Sequence, residues 1–509
     1  MAQEQAGNTE TGVLFPLTDS GERSTTATNK IVFSAAARPI NPQLAADIED
    51  EPNWRYNYPQ HLRDLIASTV TKSTSAVAMA QHGLESVYDQ FEFVAKEGVF
   101  RLPDALEQLR RFELHTAVVQ GKNTTSAQSV SIPYHDKLLT DNTLAQQISD
   151  WEARGIIEPS HGHALRRVQA HPDWLELSDQ YVVLLGAGAE MGPLAGLLAW
   201  GANVIAVDLD KSAVWERLIT QARQSNGTLH IPLRVPYREG MSDAELAQHA
   251  GCNLLTETPE IAQWLLAFDR PLTVGAYAYL DGQLHVQVAM AMDAIMTHLM
   301  AARSDITLAF LPTPTDVFMI PGDAAEMAQT RFQERSLSKL WQEPLRALSG
   351  NRFFEPNIEQ IYTLPDGRTA GITDNLVIQQ GPNYALAKRL QQWRALVARS
   401  EGWRVSTNVA PSTRTRSVVK NLALAAAYGG ADWFGVEVFE PETSNALMAT
   451  MLLHDLRHDG SVANPDTPLT YPLDLFTEGA NHGGLWRVAF ASRSVMEIAA
   501  LLGWPDILI

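Results

Sequence analysis

Residues 181–210 read "YVVLLGAGAEMGPLAGLLAWGANVIAVDLD": a short apolar run, a glycine-rich turn, small and aliphatic residues at helical spacing, and a second apolar run ending in an acid. Short apolar runs bounded by turns read as buried strands, so the stretch predicts a βαβ unit. Gly186, Gly188 and Gly192 fall between the first strand and the helix. There glycine permits a tight turn and lets backbone N–H groups approach an anion. Asp208 closes the second strand 22 residues beyond Gly186, near the offset at which an acid meets a ribose hydroxyl in dinucleotide sites. Enzymes that use S-adenosylmethionine hold a ribose with the same order of elements. A glycine turn that only packs helix on strand is a further reading.

Further alternation lies downstream. "GCNLLTETPEIAQWLLAF" predicts a helix with Thr258 as N-cap and Pro259 at its first position. "PLTVGAYAYL" and "DITLAFL" read as buried strands flanking a helix, and "YALAKRLQQWRALVARSEG" is a helix leading into the strand "WRVSTNVAP". The pattern predicts a mostly parallel sheet covered by helices on both faces. It is interrupted by an insertion near 322–381. Helices at "RSVVKNLALAAAYGG", which begins at Arg416, "SNALMATMLLHDLRHDG" and "SVMEIAALLGW" follow, and residues 421–509 form a C-terminal extension or lid.

Upstream, residues 1–30 are polar and aperiodic and read as a flexible leader. Residues 31–178 read as a mainly helical unit. Apolar residues recur every three or four positions from about Tyr58 to Phe112, with Gly98 as a stop, and "TDNTLAQQISDWEARG" forms a helix capped near Thr140 and closed by Gly155. The length of 509 residues fits two to four domains at about 100 to 200 residues each. A net charge of −19 argues against nucleic-acid or anionic-membrane partners. The single cysteine, Cys252, excludes an intrachain disulfide, and with no signal sequence or membrane span the expectation is a cytoplasmic protein.

Within "GPNYALAKRLQQW", Tyr384 and Lys388 stand four residues apart and share one helix face. Such a pair often does no more than pack. Beside a dinucleotide fold it gains a purpose, because a nearby ammonium stabilises phenolate and lowers a tyrosine pKa that starts near 10. The segment "YALAKRLQQWRALVARSEGWRVSTNVAPSTRTRS" resembles the short-chain dehydrogenase/reductase family, in which a Tyr-x-x-x-Lys helix precedes a strand and a proline-containing loop. The resemblance implies an α/β fold with a doubly wound, mostly parallel Rossmann-type sheet, bearing the helical N-terminal unit and the helical C-terminal extension. It implies a nicotinamide cofactor held by Gly186, Gly188, Gly192 and Asp208, with Pro411 and Thr413 or Thr415 beside the nicotinamide. Tyr384 would relay a proton, and Lys388 would lower its pKa and hold the ribose. Thr313 or Thr315 in "AFLPTPTD" stands in for the family's serine and would polarise the substrate oxygen, and Gln287 loosely matches its helix asparagine. The turn G-A-G-A-E-M-G departs from the family's T-G-x-x-x-G-x-G.

The expectation is an NAD(P)-dependent oxidoreductase acting on a carbonyl or secondary alcohol of a small molecule, with a homo-oligomer left open. NAD is favoured over NADP because Asp208 would repel a 2′-phosphate, with Lys211 pulling the other way. The alternatives are an S-adenosylmethionine-dependent methyltransferase and a non-catalytic dinucleotide-binding protein. No metal is expected. His454 and His458, with Asp455 and Asp459, have ligand spacing but read as a polar helix end. His161 to His163 and His482 read as loop residues without an assignable role, and Cys252 as a buried small hydrophobe.

Overall fold

The computed structural model describes residues 11–504, apart from 126, 336, 337, 351 and 378. Its centre is a sheet of seven strands: β1 (His115–Gln120), β2 (Tyr181–Leu185), β3 (Asn203–Val207), β4 (Thr228–Leu233), β5 (Leu272–Ala276), β6 (Ile306–Phe310) and β7 (Arg404–Thr407). They lie side by side as β7-β6-β5-β2-β3-β4-β1. The six from β2 to β7 are parallel, and β1 is antiparallel to β4. This is an α/β chain with a mostly parallel central sheet, consistent with a Rossmann-like fold.

The inner strands β2, β3, β5 and β6 are mainly apolar because both faces are covered, whereas β1 alternates, with Ala117 and Val119 buried and Thr116 and Val118 exposed. Along β2, Val183 and Leu185 enter one core while Val182 and Leu184 enter the other. The first core receives the helices Ser73–Gln90, Thr258–Leu266, Gln283–Ala302 and Gly381–Ser400. The second receives Asp141–Arg154, Pro159–Ala170, Leu194–Ala199, Ser212–Arg223 and Pro441–Arg457. The chain walks outward one way from β2 through β3 to β4, then returns to β5 on the other side of β2. The order therefore reverses between β2 and β5.

Several expectations need correction. The predicted leader over 1–30 is ordered from Gly12 onward: Gly12–Leu14 pairs with Glu92–Ala95, and Ser24 caps a helix from Thr25 to Ala37. Val13, Leu14 and Phe15 are buried, so three apolar residues suffice to tie down a polar segment. Residues 1–10 lie outside the described residues. The helical run predicted to end at Gly98 gives way earlier to a hairpin, Glu92–Ala95 against Gly98–Arg101, where Phe93 and Ala95 alternate inward. The N-terminal segment also donates β1 to the central sheet. Thr258 is the first residue of its helix and the cap is Glu257. The helix at Thr140 is as read, with a capping box to Thr143 and Gly155 closing it at φ 72°.

Residues 317–374 contribute a small antiparallel sheet, Val317–Pro321, Thr369–Asp374 and Ile361–Thr363, with the helices Gly322–Gln333 and Lys339–Leu348. The β7 edge is covered by a loop: the Val405 N–H donates to the Ala463 carbonyl at 3.0 Å. The Arg399 guanidinium gathers the carbonyls of Val462, Asn464, Pro465 and Thr467 at 2.5–3.1 Å. No helix among the described residues is long and apolar enough to cross a membrane.

Candidate functional site

Open parallel sheets bind ligands beyond the carboxyl ends of their strands, where the strand order reverses. At that place lies a cavity of about 400 Å³, within the 300–1,000 Å³ range of small-molecule sites. Four loops wall it: 188–191 after β2, 276–279 after β5, 311–315 after β6 and 410–418 after β7. Tyr384, Lys388 and Gln391 reach it from the Gly381–Ser400 helix.

The glycine turn forms one wall. Gly186 has φ 96°, and a Cβ there would come within 2.5 Å of the Ala278 backbone nitrogen. Only glycine lets the β2 and β5 loops approach this closely. Gly188 lines the cavity, whereas Gly186 and Gly192 stand behind it. The helix begins at Leu194, two residues after the last glycine, and runs only to Ala199. The third glycine is thus within the turn, and it is Gly196 that allows close helix packing, with a Cβ position 2.8 Å from Ala449.

Asp208 does not line the cavity. Its carboxylate accepts the Gly188 N–H at 2.6 Å and the Leu209 N–H at 2.8 Å, so it braces the turn. Burial pushes its pKa up, opposed by those two hydrogen bonds and by Arg217 and Lys211. Arg217 does line the cavity and donates to the Gly188 carbonyl at 3.1 Å. The acid that favoured NAD is therefore engaged by backbone, with a guanidinium beside it.

Opposite the turn, the Thr313 and Thr315 hydroxyls lie 2.9 Å apart. Their loop is pinned by buried Asp316, which pairs with Arg389 at 2.6 Å and accepts from Gln392 at 2.8 Å, both on the Tyr384 helix. Burial pushes the Tyr384 phenol well up, and hydrogen bonding to Thr313 and Thr315 counters it only in part. Lys388 is pulled down to about 8 by burial, partly offset by Asp316. Its ammonium donates to the Leu311 carbonyl at 3.3 Å and lies 6.0 Å from the Tyr384 ring centroid. The expected depression of the tyrosine pKa is thus reversed: desolvation raises it, and the lowering comes from the Thr313 and Thr315 hydrogen bonds. The phenol stays protonated near neutrality.

The 410–418 loop brings Pro411, Thr413 and Thr415 to the cavity. Thr413 bonds Pro411 and Ser444, at 2.9 and 2.7 Å, and Thr415 meets Ser417 at 2.9 Å. Glu190 accepts the Arg416 N–H at 3.0 Å, joining this loop to the glycine turn.

Sequence reasoning missed His285. Its ring stacks 5.4 Å from Tyr384 and 4.7 Å from Tyr279, and it is buried with neither ring nitrogen bonded among the described residues. Burial and Lys388 push its pKa far down, so it is a neutral backing to the phenol. A lone histidine at the start of an apolar helix gave no signal. Tyr279 and Tyr428, also on the wall, stood in segments read as a strand and a helix.

Other candidates lie elsewhere. Gln287 donates to the Val13 carbonyl at 2.7 Å and holds the N-terminal strand. Asp455 accepts Ser406 and Asn408 at 2.7 and 2.8 Å beside β7, with His454 next to it at 3.4 Å. His482 is buried, bridging Glu158 and backbone N–H groups, and His161 bonds the Gly479 carbonyl. Cys252 is buried and its thiol is pushed up. No group of three His, Cys, Asp or Glu side chains that could hold a metal occurs among the described residues.

No protein-family model and no curated protein matches the sequence. Among solved structures, similarity extends to a thiolation-reductase di-domain from an archaeal non-ribosomal peptide synthetase. The identity is 12% and the TM-score 0.26, over 50% of this chain and 61% of that one.

Proposed function

We propose that the chain is an NAD(P)-dependent oxidoreductase with a doubly wound, short-chain-dehydrogenase-like core, moving hydride between nicotinamide and a small carbonyl compound or secondary alcohol. One observation carries this reading: Tyr384, Lys388, Thr313 and Thr315 share a single cavity with a glycine turn at the reversal of strand order.

The residues present suit such a cofactor. Gly188 lets the turn backbone reach the cavity, since a Cβ there would lie 2.9 Å from both Asp208 and Arg217. The 188–191 segment would hold the phosphates, with Arg217 nearby, and Lys388 and Thr413 would face the ribose and nicotinamide. When bound, the nicotinamide supplies or accepts the hydride. The Thr313 and Thr315 hydroxyls then orient the substrate oxygen by hydrogen bonding. Tyr384, held protonated by burial, donates its proton to that oxygen in the reducing direction. Carbonyl, hydride and proton together give the alcohol.

Thermal shift with NADH, NADPH and S-adenosylmethionine, each added separately, tests the reading. At about 100 times its dissociation constant a ligand stabilises the fold by about 2.7 kcal/mol. Stabilisation by either nicotinamide nucleotide is expected. A response to S-adenosylmethionine alone would make the chain a methyltransferase, a nicotinamide response without turnover of any carbonyl or alcohol would leave a non-catalytic dinucleotide-binding protein, and no response to any of the three would overturn the reading.

A further inference from the structure

A second cavity, of about 770 Å³, shares no lining residue with the first. It opens between the helices Gly322–Gln333, Lys339–Leu348 and Ser492–Gly503 and the turn Ala431–Phe434. Its wall combines guanidinium groups, Arg154, Arg331 and Arg335, with aromatic rings, among them Trp341, Trp433 and Phe490.

The guanidiniums there are incompletely partnered. Arg335 has a side chain only 5% exposed, and Glu343 is its ion-pair partner. Its Nε and Nη1 are buried without a hydrogen-bond partner among the described residues. Its guanidinium lies 3.7 Å from the Phe332 ring centroid and 5.2 Å from that of Phe490. Arg331 has no carboxylate partner among the described residues, and it donates to the Arg487 and Arg154 carbonyls at 3.0 Å each. Burial and the Arg487 charge pull its pKa down, the mark of a cation lacking a counter-ion. Arg154 pairs with Glu437 at 2.8 Å and Asp150 at 3.2 Å. One carboxylate, Asp432, lines the wall and forms no ion pair with these arginines. Arg154 and Arg335 are thus ion-paired, and Arg331 is the lining guanidinium without a carboxylate partner among the described residues.

Buried donors without acceptors are costly and call for an acceptor from outside. A guanidinium stacked between rings accommodates a flat partner and bonds planar or tetrahedral oxyanions in a fork. Trp433 is 75% exposed and Trp341 52%, offering indole faces that packing has not covered.

We infer that this cavity is a ligand site for an aromatic organic anion, its ring lying against Trp341, Trp433 and Phe490 and its carboxylate or phosphate on Arg335 and Arg331. The inference stands independently of the hydride-transfer reading.

The test is a fluorescence titration of the whole protein with 1-naphthyl phosphate, using 1-naphthol as the uncharged analogue. The expected result is saturable tryptophan quenching by the phosphate, at least tenfold weaker binding of the naphthol, and at least a tenfold loss in Arg335→Leu. Trp433→Ala, an exposed position, should weaken binding and reduce the quenching amplitude while leaving the circular dichroism spectrum intact. It decides the matter should Arg335→Leu fail to fold. Saturating NADH should leave the titration unchanged. Equal binding of both naphthyl compounds, unaltered affinity in Trp433→Ala or in folded Arg335→Leu, or displacement by NADH would each overturn the proposal.

Discussion

Tyr384 and Lys388 share one helix face, yet burial moves their pKa values in opposite directions, the phenol up and the ammonium down to about 8. Tyr384→Phe keeps the ring against His285 and removes only the proton-bearing oxygen. It should leave nucleotide affinity nearly unchanged and lower kcat about 100-fold or more, the usual worth of a positioned acid, as steady-state kinetics on any accepted carbonyl substrate would show. Lys388 makes a stability prediction as well. Between pH 8 and 10.5 the unfolded chain holds the lysine proton and the folded chain does not, so stability rises with pH across that window. Below it the folded state carries the full cost of a buried ammonium, about 3 kcal/mol at most. Lys388→Met should therefore raise the Tm at pH 7 and flatten the rise between pH 8 and 10.5, while weakening turnover. The pair was legible in the sequence because its spacing is local. Its electrostatics were not, since the burial that shifts the phenol comes from packing with distant segments, Tyr279 and His285 among them.

The turn after β2 shows how much of an element a few glycines decide. Gly186→Ala would need an alanine at φ 96° and a Cβ 2.5 Å from the Ala278 nitrogen. Backbone strain and the clash together should cost about 3 kcal/mol in urea unfolding. Gly192→Ala, with its nearest foreign atom at 3.3 Å and no positive φ, should cost under about 1 kcal/mol. Equal losses would mean that the two glycines do not differ as the turn requires. Elements with continuous apolar runs, β2, β3, β5 and β6, could be read directly, as could the helix boxed by Thr140 and Gly155. Strands β1, "HTAVVQ", and β4, "TLHIPL", could not. Each mixes histidine and threonine with too few apolar residues to stand out, and β1 becomes a strand by pairing across 108 or more residues with β4, which β3 holds on its other side. The hairpin at Gly98 was lost in the same way, because its aromatic residues also fit a helical period.

At the level of the molecule, the first core shows that the N-terminal helices are part of the central sheet's cover. Gly83 lies so close to Trp393 that a Cβ would come within 2.6 Å of the ring, pressing the Ser73–Gln90 helix onto the one that carries Tyr384. Asn29 bonds Asn383 at 3.0 Å, next to that tyrosine. The sequence could mark residues 73–90 as helical but not show what they cover, and it placed Asn29 in a leader, since a helix's partner is not written in its own period. The Arg399 clasp on the 459–467 loop has a consequence for how copies of the chain behave in a crowded solution. A bare β7 edge would offer unpaired N–H and C=O groups to any extended segment, and four carbonyl bonds hold the loop that occupies it. Arg399→Ala should leave a freshly purified sample monodisperse but shorten the time at 37 °C before light scattering rises, with β-rich particles that bind thioflavin T. One arginine inside the fold thereby governs the shelf life of the protein outside it.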